Sequence, residues 1–123
     1  MLRIRPEQIR ALRRDADEDL EPRLLDHLRR RHPEATALRG PEPLAAFVHH
    51  QLERAAGYGL ASERDRARFV ELALVFGDAF DADEALAWAG PTLRDSSLAP
   101  DDRMALVWLD AQEHLADGKD TGA

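Results

Sequence analysis

The sequence predicts an all-α protein: a compact single-domain bundle of about five helices, the first of them kinked near Pro22. Three observations predict it. Apolar residues recur at spacings of three and four along most of the chain, as they do on helices that bury one face. Residues that start or stop helices, among them Ser62, Asp83, Gly57 and Gly77, fall at the ends of those runs. No stretch of useful length alternates apolar and polar residues in the way a half-buried strand requires.

The first stripe is Ile9, Leu12, Ala16, Leu20, Leu24 and Leu28. Pro6 suits a first helical position, where its missing N–H costs nothing. Pro22 falls inside the run and removes one intrahelical hydrogen bond, so a kink or a break is expected near residue 21. The stripe keeps its phase across the proline, which favours the kink. His32-Pro33 ends the element, and Gly40-Pro41-Glu42-Pro43 reads as a linker. A second helix, from about Pro43 to Ala56, presents Leu44, Phe47, Val48, Leu52 and Ala55. Gly57 is its expected terminator, because glycine takes the left-handed conformation without steric cost.

Ser62 caps the third helix, and Asp65 three residues later makes a variant of the capping box. Phe69, Val70, Leu72, Ala73, Leu74, Val75 and Phe76 leave this helix apolar over most of its circumference, so it is expected to be the most buried. Gly77 stops it. Asp83 opens a shorter helix with Leu86, Trp88 and Ala89, interrupted by Gly90-Pro91. The last helix starts near Pro100-Asp101-Asp102, with acids at the positive end of its dipole. Met104, Val107, Trp108, Ala111 and Leu115 form its stripe, and Trp88 and Trp108 read as core residues. The domain is expected to span 1–116 and a flexible tail 117–123.

Composition narrows the function classes. At 123 residues, 44% hydrophobic and 33% charged, the chain has globular rather than disordered composition and can bury a core unaided. It has no cysteine, so neither disulfides nor thiolates contribute. The start, Met-Leu-Arg-Ile-Arg-Pro-Glu, lacks the apolar run of a secretory signal, and no segment reads as membrane-spanning; the expectation is a cytoplasmic protein. Net charge is −7 but unevenly spread: residues 1–33 carry nine arginines against seven acids, and the remainder carries eight basic residues against seventeen acidic ones. An acidic body argues against a nucleic-acid binder, whose affinity comes from neutralising phosphates. Arg29-Arg30-Arg31 could touch an anionic partner or simply favour the negative end of a helix.

The search for chemistry yields only loose constellations. His49, His50 and Glu53 lie within one turn, but they do not follow the His-Glu-x-x-His order of zinc proteases, and a catalytic zinc usually needs three protein ligands. Asp78, Asp81, Asp83 and Glu84 crowd one loop without the spacing of a calcium-binding EF-hand, and helix capping explains Asp81 or Asp83 more cheaply. Ser62, Ser96 and Ser97 sit in no Gly-x-Ser-x-Gly elbow, and Gly57-Tyr58-Gly59 has neither the length nor the lysine of a phosphate loop. Tyr58 reads either as an exposed binding anchor or as a plug for the turn against the core. No catalytic residue, cofactor or metal is assigned.

The segment Glu53-Arg54-Ala55-Ala56-Gly57-Tyr58-Gly59-Leu60, then Ser62-Glu63-Arg64-Asp65, Arg68-Phe69 and Phe76-Gly77-Asp78-Ala79-Phe80-Asp81, resembles a group of small helical bacterial proteins. Its members are similar in an Ile-x-Pro-Glu-Gln-like opening, here Ile4-Arg5-Pro6-Glu7-Gln8, and in a Trp-Ala after the central helix, here Trp88-Ala89. The likeness covers Ile4 to Leu115, and the chain departs from the group at Pro22. Such proteins are commonly encoded beside type VI secretion spike, adaptor and toxin-effector genes.

The resemblance implies a helper role in effector loading, as a non-catalytic chaperone or adaptor whose partner is a secretion effector or spike component. An immunity protein that blocks a cognate toxin is the alternative, since an acidic surface suits a basic catalytic cleft. A small effector enzyme comes third. The expected contact surfaces are the acidic face of the last helix, around Asp102, Asp110 and Glu113, the arginine end of the first helix (Arg29, Arg30, Arg31), and Tyr58.

Overall fold

The structure, a computed structural model, describes the backbone of residues 6–121 and the side chains of residues 19–116. It is all-α; no strand occurs among the described residues. The helices are α1 (Pro6–Arg31), α2 (Pro33–Arg39), α3 (Pro41–Gly57), α4 (Glu63–Phe76), α5 (Gly90–Leu93) and α6 (Pro100–Thr121), with a single 3-10 turn at Glu84–Leu86. None of the described helices is long and apolar enough to cross a membrane. The chain divides into two compact units, Met1–His49 and His50–Ala123, with the boundary inside α3.

In the first unit α1 runs unbroken through Pro22, so of the two outcomes foreseen there the chain does not break. Leu20, Leu24 and Leu28 are buried in one row. Ile9, Leu12 and Ala16, the rest of the expected stripe, lie outside the described side chains. Beyond Arg31 the sequence reading missed an element. Residues 33–39 form α2, which packs on α1, and the expected four-residue linker shrinks to Gly40.

The reason is that Pro33 and Pro41 begin helices here instead of ending them. Pro33 and Pro41 both occupy first helical positions, where no N–H is needed. Gly40 turns the chain between them at φ +82°, a left-handed value that favours glycine. Thr36 is buried and donates its hydroxyl to the His32 carbonyl at 2.8 Å. Leu44, Phe47 and Val48 of α3 are buried, and the Arg39 guanidinium lies 4.0 Å above the Phe47 ring.

In the second unit the stop after α3 is displaced from its expected place. Gly57 is still helical; Gly59 is the left-handed residue, at φ +82°. The Leu60 amide donates to the Ala55 carbonyl at 3.3 Å and the Gly59 amide to Ala56 at 2.9 Å. That pair of bonds is a Schellman motif, and Ala55 and Leu60, the positions such a motif commonly joins through an apolar contact, are both buried. Ser62 caps α4 as expected, accepting from the Asp65 amide at 3.1 Å.

Phe69, Val70, Leu72, Ala73 and Leu74 of α4 are buried, whereas Val75 is partly exposed. Gly77 at φ +122° ends the helix. Asp83 opens only one 3-10 turn, its carboxylate accepting from the Ala85 amide at 2.9 Å. Gly90-Pro91 does not interrupt that element but starts α5. α6 packs against α4 and α5 through Met104, Val107 and Ala111. Trp88 and Trp108, expected in the core, are only half-buried. The flexible tail expected over 117–123 falls outside the described side chains.

Candidate functional site

The loop after α4 is organised around Asp81, which is 6% exposed. One carboxylate oxygen accepts from the Arg54 guanidinium and the other from the Tyr58 hydroxyl. The Asp81 carbonyl accepts from Arg94 at 3.0 Å. Arg54 also donates to the Asp78 carbonyl at 2.6 Å and to the Gln51 side-chain oxygen at 2.8 Å. Gln51, fully buried, donates its amide to the same Asp78 carbonyl at 3.1 Å. Four side chains, from the end of α3 and from just beyond α5, therefore converge on two backbone carbonyls and one carboxylate.

Local sequence explains the convergence. Gln51, Arg54 and Tyr58 are spaced three and four residues apart at the end of α3, so they project from one side. Burial alone would push the Asp81 carboxyl up, but the hydrogen bonds from Arg54 and Tyr58 outweigh it and hold the group below its ordinary value. Tyr58 is pushed up, first by burial and then by the carboxylate it donates to. Its ring lies 5.7 Å from that of Phe69, which in turn lies 5.1 Å from Phe80. Tyr58 itself is half-buried.

The acidic loop does not gather its carboxylates on one point. Asp81 faces the arginine, Asp83 caps the 3-10 turn, and Asp78 contributes its carbonyl. His49 and His50 are both exposed, and His49 Nδ1 lies 2.7 Å from the Glu21 carboxylate. No group of three or more His, Asp or Glu side chains among the described residues is placed to hold a metal ion.

The outer face of α6 carries a different composition from the one expected. Asp102, Leu106, Leu109 and Glu113 lie at successive spacings of four, three and four, all of them exposed. Leu106 is 44% and Leu109 60% exposed. The face is thus a pair of leucines flanked by acids, and Asp110 is half-buried at its margin. The leucines were missed because the buried stripe of Met104, Val107 and Ala111 accounts for the helix's periodicity without them. Arg29, Arg30 and Arg31 are exposed at the end of α1.

Another aromatic cluster joins the same helix to the segment before α5. Trp88 meets Phe76 edge-on at 5.1 Å and stacks on His114 at 5.0 Å. Its indole N–H is buried without a hydrogen-bond partner among the described residues.

Comparison with protein-family models, curated proteins and solved structures gives no match for this chain.

Proposed function

We propose that this protein is a non-catalytic protein-binding module, an accessory protein, adaptor or chaperone for a type VI secretion effector, and that it meets its partner through the outer face of α6. The exposed pair Leu106 and Leu109 carries the reading. Two large aliphatic side chains on successive turns, bracketed by Asp102 and Glu113, have the form of anchors with a charged rim. A basic amphipathic helix fits that pattern, offering apolar side chains to the leucines and cations to the acids. The polar network around Asp81 supports the non-catalytic part, because its side chains are committed to one another and to backbone carbonyls. The secretion context comes from the resemblance carried by the Gly57–Asp81 segment and Trp88-Ala89.

A second reading, an immunity protein, is favoured by the net acidity of residues 34–123. Purification from the native host separates the two. Recovery of a spike or effector component supports the adaptor, and rescue of a toxin-poisoned cell supports immunity. In either assay, Leu106→Ser with Leu109→Ser is expected to weaken the partner contact by about 2–4 kcal/mol while thermal stability changes little. Undiminished partner recovery by that double variant would remove α6 from the contact.

A further inference from the structure

The first unit has a hollow that the α6 reading leaves unused. It is a surface depression of about 460 Å³, open to solvent and lined by Arg29 of α1, Pro33, Thr36 and Ala37 of α2, Gly40, and Pro41 and Leu44 of α3. Its walls are mainly apolar, and the one polar side chain among them is already engaged: the Thr36 hydroxyl is bonded to the carbonyls of His32 and Pro33. The only charged lining residue is Arg29, which is exposed and has no ion-pair partner among the described residues. Arg30 beside it is exposed too and donates to the Asp26 carbonyl at 3.4 Å. A neighbouring hollow shares Pro33 and adds Arg31 and Glu34, whose charges offset each other. Leu38, adjoining Ala37 on α2, is 88% exposed.

We infer that this hollow is a second docking site, one that takes an acidic peptide segment of a partner protein by seating a large aliphatic side chain among Pro33, Ala37 and Pro41 and a carboxylate against Arg29. Charge selects the occupant. An arginine without an acid beside an apolar floor rewards a ligand that brings both a carboxylate and an aliphatic group. A nucleic acid is a poor fit, because it needs aromatic platforms or several phosphate contacts, and this lining has no aromatic ring and a single cation. A volume of about 460 Å³ accommodates a leucine or methionine side chain with part of its backbone. The site is independent of the α6 face, and the two have opposite charge preferences.

The test is fluorescence anisotropy of the full chain with a labelled dodecapeptide of aspartates and glutamates around one central leucine. Saturable binding with Kd on the order of 10–100 μM is expected at low salt. Arg29→Glu is expected to weaken it about tenfold through charge. Ala37→Phe, which fills the hollow at an exposed position and leaves charge unchanged, is expected to do the same. Replacing the peptide's leucine by glycine is expected to cost about tenfold or more, the worth of one buried aliphatic side chain. Circular dichroism checks that both variants stay helical. Binding that survives both Ala37→Phe and loss of the leucine would reduce the site to unspecific charge attraction and overturn the inference. So would the absence of saturation at about 1 mM peptide. Sedimentation showing self-association that Arg29→Glu and Ala37→Phe both abolish would instead make a second copy the occupant. Loss of partner recovery through Leu106→Ser and Leu109→Ser has no bearing on the peptide titration, so the two readings fail separately.

Discussion

Gly90 lies so close to Asp81 that a β-carbon at position 90 would collide with the Asp81 carbonyl oxygen, and Arg94 reaches that same oxygen at 3.0 Å. The backbone of Gly90 is not in the left-handed region, so close approach is what requires glycine here. The contact ties the start of α5 to the loop whose side chain holds Arg54 and Tyr58.

Gly90→Ala therefore tests the packing. Helix propensity favours alanine by under about 1 kcal/mol. The clash is with backbone, which yields poorly, and is expected to cost about 2–4 kcal/mol. A net loss of stability in urea denaturation is the expected outcome. Equal stability would show that α5 is free to shift.

Asp81→Asn probes the electrostatics of the same loop. A carboxyl held below its ordinary value of 3.8 stabilises the fold at every pH above that value, and the contribution is lost as pH falls through the folded-state pKa. The variant is expected to lose about 2–3 kcal/mol at pH 7, less than a fully enclosed pair, since the Arg54 side chain is 24% exposed and can be rehydrated. The variant and the parent should converge in thermal melts only once pH has fallen below the lowered folded-state value.

Asp65 gives the opposite sign. It is 1% exposed, one of its oxygens lacks a hydrogen-bond partner, and burial, with the Asp101 carboxyl beside it, pushes its pKa up. The Ser62 side chain, and after it Arg64, 3.8 Å away and largely exposed, pull the other way without prevailing. A raised acid stabilises the fold while protonated, so the contribution is full below 3.8 and is lost as pH rises through the folded-state value. Asp65→Asn is expected to raise Tm at pH 7 relative to the parent and to lose that advantage near pH 3.5. A lower Tm at both pH values would assign the side chain a purely structural role.

The two glycines around Tyr58 should respond in opposite directions. Gly57 is helical with open space at its β-position, so Gly57→Ala is expected to add about 0.5–1 kcal/mol. Gly59 is left-handed, and a β-carbon there would press on Pro100 at 3.3 Å, so Gly59→Ala is expected to cost about 1–2 kcal/mol. Chemical denaturation of both variants checks the assignment of the turn, and a reversed order would restore Gly57 as the terminator.

The displaced turn also shows where reading the sequence reaches its limit. Gly57 and Gly59 are chemically identical, and local pattern does not choose between them. In the folded chain the turn falls at Gly59 and Leu60, the next residue, is buried. The helix over 33–39 was hidden for a related reason. His32-Pro33 and Gly40-Pro41 look like breaks, and only packing of α2 on α1 makes seven residues worth ordering. Arg54, a principal donor to Asp81, carried no signal beyond lying three residues before Gly57, because its partner is twenty-seven residues away.

Periodicity and capping by themselves determined the all-α class, the Ser62 cap, the buried stripe of α4 and the start of α6, because each depends on contacts within a turn or two of helix. The tertiary structure alone decided what surrounds Asp81, which leucines of α6 stay outside, and that Arg29 borders an apolar hollow. Those are matters of which distant side chains meet. The energies that settle them come from burial and desolvation summed over the folded chain, which no local run of residues encodes.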